Sequence, residues 1–239
     1  MGNSIFSGEL RDKTLQQDNR MKKDFWLERW EREEIGFHEN EVNVYLKQFW
    51  NELHLEQGSR VFVPLCGKSV DLKWLQEQGH PVLGIELSEI AARAFFTENS
   101  YQPKVSGGAK FRQYEADSIH ILCGDFFDLS RDDLEKVCAV YDRAAMVALP
   151  PEMRESYVKH LISILPPATQ ILLITFDYPQ SEMAGPPFAL AAGEVEALYS
   201  KHAEIRLLDQ VDVLAQNPRF QKRGLTRLQE SIYLLTLKG

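Results

Sequence analysis

The stretch VFVPLCGKSVDLKWL, Val61 to Leu75, joins a β-branched apolar run to an amphipathic segment through a short loop, Cys66-Gly67-Lys68-Ser69. Strand, small-residue loop and helix in that order are a common way to hold a nucleotide. A phosphate-binding loop needs a glycine five residues before Gly67, so that backbone N–H groups can cradle phosphates; Phe62 stands there, inside the strand. The dinucleotide fingerprint GxGxxG fails as well, since only Gly67 is present. What survives is an acid. Glu86 closes the next apolar run, PVLGIEL, 21 residues after Leu65. A carboxylate there can accept hydrogen bonds from both ribose hydroxyls of an adenosine ligand. Without a glycine-rich pyrophosphate cradle, adenosine carrying no phosphate fits better, and S-adenosylmethionine is such a ligand. The plainer alternative is an exposed acid at a strand end.

Two further runs repeat the arrangement. Asp125-Phe126 ends the third, offering an acceptor for an adenine amine and an apolar face for its ring. Asp142-Arg143 ends the fourth, and Arg143 can hold a carboxylate or stabilise a developing thiolate. The alternative there is a surface ion pair between the two neighbours. Trp26 and Trp30, at i and i+4, read by default as packing aromatics on a helix. His38 reads as structural. Cys66 has no evident His-Asp partner and is assigned to packing. Glu31 to Glu34 read as a solvated helix face.

The elements that must position these groups follow from periodicity. Helical patterns run from Lys22, from Glu39 to about His54, from Val70 to Gln78 and from Glu89 behind a Ser88 N-cap. PPEMRESYVKHLISIL is a helix with proline at its start, and Glu194 to His202 a short one. Buried strands are read at RVFVPL, PVLGIEL, Val137 to Asp142 and Ile171 to Tyr178. Lys110 to Glu115 and Ser118 to Cys123 pair as a hairpin after a loop, QPKVSGGAK. IRLLDQVDVL and ESIYLLTLK close the chain as two strands around a polar link. Alternating strands and helices predict an α/β fold with a mostly parallel sheet and an antiparallel edge, its ligand beyond the C-terminal strand ends.

With 239 residues, 44% hydrophobic and 26% charged, the chain can bury a real core without disulfides or metal. A formal charge of -8 argues against a nucleic-acid partner. Three dispersed cysteines form no CxxC pair, which points to a reduced, cytoplasmic setting and no metal. No apolar run approaches membrane-spanning length, and the N-terminus lacks the features of a secretory signal. MGNSIFS fails the myristoylation pattern at Phe6. Residues 1–21 are expected to be a polar, poorly ordered extension with Met21 a functional start, and 22–239 a single domain.

The set DFWLERW, IGFH, FVPLCGKSVDLKWL, GIELSE, DRAAMVALPP, GPPF and ESIYLLT resembles the thiopurine S-methyltransferase family, in its bacterial form, from about Asp24 to Leu237. The resemblance implies a class I methyltransferase fold, Rossmann-like, with a seven-stranded sheet, S-adenosylmethionine as donor and a helical N-terminal cap. By the same likeness Trp30, Leu65, Glu86 and Arg143 bind the donor, with Trp26, Asp125 and Phe126 at further donor contacts. Leu65 and Gly67 let the donor's methionine end approach the backbone. Phe37 and the loop of Pro186, Pro187 and Phe188 lie against the acceptor, and Arg219 faces it. Arg143 and Arg219 are then the candidates for catalysis. The implied activity is S-methylation of small aromatic or heterocyclic thiols by a monomer, extending to selenium or tellurium species. A methyltransferase for another small acceptor, or a cofactor-binding module without turnover, are the alternatives. Lys68 and Ser69 are expected to start a helix and to touch no phosphate.

Overall fold

The computed structural model describes residues 23–35, 38–108 and 110–238. The expectations for residues 1–21 and for Phe37 fall outside these. A helix covers residues 23–31 (α1). The pattern expected from Glu39 becomes helical only at Val44–Phe49 (α2) and tightens into a 3-10 turn, Trp50–Leu53. Asn43 sets that start: its side chain accepts from the N–H groups of Tyr45 and Leu46, as an N-cap does.

The centre is a parallel sheet. Arg60–Val63 (β1), Val82–Glu86 (β2), Ile119–Cys123 (β5), Val137–Arg143 (β6) and Gln170–Asp177 (β7) run in one direction, in the order β5-β2-β1-β6-β7. The chain moves outward from β1 through β2 to β5, then returns to β6 beside β1. That reversal opens a crevice beyond the ends of β1 and β6, where ligands of such sheets bind. Asp71–Glu77 (α3) and Glu89–Glu98 (α4) cross over on one face, with α2. Ala145–Ala148 (α5), Pro151–Ile164 (α6) and Ala192–Tyr199 (α7) cover the other. Alternation along the strands feeds both layers: Val61 and Val63 pack on the first, Phe62 on the second.

The sheet has nine strands among the described residues, not the expected seven. Lys104–Gly107 (β3) lies inside the segment read as a loop and pairs with Arg112–Ala116 (β4), which in turn pairs antiparallel with β5. Every residue of β3 is exposed, so no alternation of apolar residues marks it. At the other side Gln229–Leu237 (β9) runs antiparallel to β7, and Ala203–Asp212 (β8) forms the edge beyond it. The antiparallel strand β9 is therefore interior. The link between β8 and β9 carries a helix, Pro218–Lys222 (α8).

Arg154, on α6, is completely buried. Its Nη1 donates to both Glu194 oxygens at 2.8 and 2.9 Å, and its Nε to the Leu149 carbonyl at 3.1 Å. It thereby staples α7 and the segment before α6 together. Arg154→Met leaves these acceptors bare and is expected to destabilise by about 3 kcal/mol. A urea-unfolding loss below about 1 kcal/mol would show that the staple contributes little.

Candidate active site

The loop after β1 turns through two residues with positive φ, Leu65 (46°) and Gly67 (55°). Its carboxylate partner is Glu86, the last residue of β2 and buried. The Gly67 N–H donates to Glu86 Oε2 at 2.8 Å, and the Ser88 N–H to Oε1 at 2.7 Å. Burial pushes the Glu86 pKa up, and these backbone donors pull it back. Each oxygen keeps a further lone pair for a ligand hydroxyl. Trp30, on α1 and buried, lies over Gly67: a methyl group there would sit 3.4 Å from the indole. A Cβ there would make ordinary contact with the indole, so it is the positive φ of the turn that favours glycine.

Cys66 packs as expected. Its sulfur lies so close to Gly84 that a side chain there would meet it at 2.7 Å. Burial pushes its thiol well up, and the Glu86 charge adds to that. Lys68 pairs with Glu98 at 2.7 Å, and the Ser69 hydroxyl accepts from the Asp71 N–H at 3.2 Å at the start of α3.

β5 stops at Cys123, so Asp125 sits just past the strand as the cap of a 3-10 turn, accepting from the Phe127 N–H at 3.0 Å. Its other oxygen pairs with Lys23 of α1. Phe126 is buried, its ring 4.7 Å from that of Tyr157. At the end of β6, Asp142 and Arg143 do not form the surface pair that was one alternative. Asp142 is fully buried and accepts from the Tyr157 hydroxyl at 2.7 Å, while Arg143 reaches a cavity. Trp26, Trp30, Leu65, Gly67, Glu86, Asp125, Phe126 and Arg143 all line this cavity, whose volume is about 1060 Å³.

The acceptor-side candidates open into the same space: Pro186, Pro187, Phe188 and Arg219. The Phe188 N–H donates to the Val147 carbonyl at 2.7 Å, which holds the proline loop against α5. Arg219 pairs with Glu39 at 3.1 Å and lies 4.8 Å over the Phe220 ring. Other lining residues were not anticipated, among them four that carry a charge or a hydroxyl. Lys23 and Arg29 lie on α1, Tyr157 on α6 and Arg223 just past α8. Arg223 had a signal, because Pro218 at a helix start would have placed Arg219 and Arg223 one turn apart. No signal singled out Tyr157 from the other apolar-face residues of its helix. Among the described residues, no group of three His, Cys, Asp or Glu side chains is placed to hold a metal ion.

The strand order and a buried acid at the end of β2 define a class I methyltransferase fold. Solved structures agree on the fold. A 1,6-didemethyltoxoflavin-N1-methyltransferase of Burkholderia thailandensis superposes with TM-score 0.65 at 14% identity, over 94% of this chain and 90% of that one. An S-adenosylmethionine-dependent methyltransferase of Anabaena variabilis gives 0.62 at 14%, over 90% and 95%. The family pattern "Thiopurine S-methyltransferase (TPMT)" matches residues 21–238. The thiopurine S-methyltransferase of Nitrosospira multiformis is 64% identical, over 90% of this chain and 98% of its own. That of Azotobacter vinelandii is 51% identical over 90% and 99%. The chain belongs to the thiopurine S-methyltransferase family.

Burial pushes the Asp142 pKa up to about 6 from 3.8, against the hydrogen bonds from Tyr157 and Met146 that pull it down. The folded protein therefore takes up this proton at a higher pH than the unfolded chain does. Because the folded value is the raised one, stability from this residue is greatest below about pH 4 and is lost as pH rises through about 6. Asp142→Asn cannot titrate. The stability of the parent relative to the variant should rise by about 2–3 kcal/mol from pH 7 to pH 4. Paired urea titrations across that range check it; a constant difference would contradict the raised value.

Proposed function

We propose that the chain transfers the methyl group of S-adenosylmethionine to the sulfur of small aromatic or heterocyclic thiols. The observation that carries this is the buried Glu86 carboxylate, held by two backbone N–H groups beside a loop with no phosphate cradle. Family membership and the thiopurine S-methyltransferase relatives support the acceptor class. A cavity of about 1060 Å³ has room for donor and small acceptor together.

When bound, the donor supplies an electrophilic methyl on a sulfonium: the acceptor thiolate forms a new S–C bond as the donor's breaks, leaving S-adenosylhomocysteine. A thiolate is already a strong nucleophile, so the chain needs little acid–base chemistry. Its work is alignment and exclusion of water. Glu86 accepts from the ribose hydroxyls. Asp125 and Phe126 take the adenine edge and face, with the Lys23 pair at Asp125 giving way to the amine. Trp26 and Trp30 roof the site and face the donor's cation. Arg143 holds the donor's carboxylate. Arg219 favours the thiolate form of the acceptor, whose ring lies between Pro186, Pro187 and Phe188.

Glu86→Ala removes two charge-assisted hydrogen bonds to the donor and should weaken S-adenosylhomocysteine binding about 100-fold by calorimetry. Unchanged affinity in a folded variant means that Glu86 does not meet the ribose. Arg219→Ala should raise the acceptor KM or lower kcat while leaving donor affinity within about twofold. An equal loss of donor binding puts Arg219 on the donor side instead. Turnover of labelled donor with a panel of thiols tests the function itself; donor binding with no methylation of any thiol would favour a binding module.

A further inference from the structure

Arg143 is followed by Ala144, whose φ is +71°. This is the left-handed region, which glycine enters freely and an L side chain does not. The chain uses alanine here, so other contacts must hold the turn. One carboxylate makes two, one across the turn and one to a separate helix. Asp142 Oδ1 accepts from the Met146 N–H at 3.3 Å, spanning the turn. Its Oδ2 accepts from the Tyr157 hydroxyl at 2.7 Å. Both side chains are fully buried, so the pair is shielded from solvent and restricted to this geometry. Tyr157 belongs to α6, a long helix packed into the core, and its ring forms part of the cavity wall. The turn that aims Arg143 is thus braced from a separate, rigid element.

We propose that Asp142 and Tyr157 are positioning residues for the methyl donor: they clamp the Ala144 turn so that Arg143 is set in the cavity before the donor arrives. This rests on the assignment of Arg143 to the donor. Neither residue needs to touch the donor, because both act through Arg143. Pre-setting a long, flexible cation removes part of the ordering cost from the binding step.

The test uses Tyr157→Phe, which keeps the ring against Phe126 and deletes only the hydroxyl. S-adenosylhomocysteine affinity is measured by calorimetry and unfolding by urea, in the parent and in an Arg143→Ala background. Tyr157→Phe should weaken the product about tenfold in the parent and by less than about twofold once Arg143 is gone, because one interaction cannot be lost twice. Acceptor KM at saturating donor should stay unchanged. Adding Ala144→Gly to Tyr157→Phe should recover at least about threefold of the affinity, since glycine adopts the left-handed turn without the strain that the clamp offsets in alanine. Should Tyr157→Phe not fold, Asp142→Asn, which leaves one acceptor oxygen for two donors, carries the same expectations. A stability loss with product affinity kept within about twofold makes the pair merely structural and overturns the proposal. So does an undiminished effect in the Arg143→Ala background, or no recovery with Ala144→Gly. If Arg143→Ala alone leaves the affinity unchanged, the donor role of Arg143 fails first, and the positioning role with it.

Discussion

The site is organised around the cost of burying one carboxylate. A charge taken out of water is expensive unless hydrogen bonds replace its hydration. Glu86 meets this with N–H groups from two different segments, the loop after β1 and the start of α4. Satisfying the charge therefore fixes the spacing between those segments. It also fixes where Gly67 presents its bare face, and Trp30 of α1 occupies that face. Carboxylate, loop and helical cap form one unit, with a single acid setting the position of all three.

The end of β6 is built on the same economy but in alternation. Three successive residues leave the strand in different directions. The Tyr141 hydroxyl donates to the buried Asp71 at 2.9 Å, and Asp71 also accepts from the Asn43 N–H at 2.8 Å, which ties in the start of α2. Asp142 turns to α6, and Arg143 to the cavity. Two buried polar contacts on opposite faces thus hold the strand end that carries Arg143. Such contacts stabilise modestly in net terms, but they allow only one geometry.

What the sequence disclosed follows from what each residue type can hide. The loop with a single glycine and the acid after it were legible because a missing motif and a fixed strand-to-acid spacing are both local facts. Asp142 was misjudged as a possible surface partner of Arg143, although strand alternation already sends neighbours to opposite faces. β3 left no trace, since an exposed edge strand needs no apolar pattern and exists through its pairing with β4. Helix α8 was passed over because polar composition was weighed above Pro218, a better guide to a helix start. Lys23 at Asp125 and Tyr157 at Asp142 are contacts between residues 102 and 15 positions apart, and nothing local announces the first.

The proposed methyl transfer to a thiolate asks for little acid–base machinery. Glu86 and Asp125 line the cavity, and in the proposed reaction they would face the hydrogen-bond donors of the methyl donor's ribose and adenine. The arginines, Arg143 and Arg219, line the same cavity, and in the proposed reaction they would meet a carboxylate and a thiolate. A sulfonium loses its positive charge as the methyl leaves, and a thiolate loses its negative charge as the methyl arrives. Both reactants are thus more polar than the transition state, and a wet site would stabilise them against reaction. In the proposed reaction the tryptophans and prolines of the cavity wall would remove that water, while the charged groups would hold the ends of the ligands. The apolar roof is then as much a part of the chemistry as any ionisable side chain.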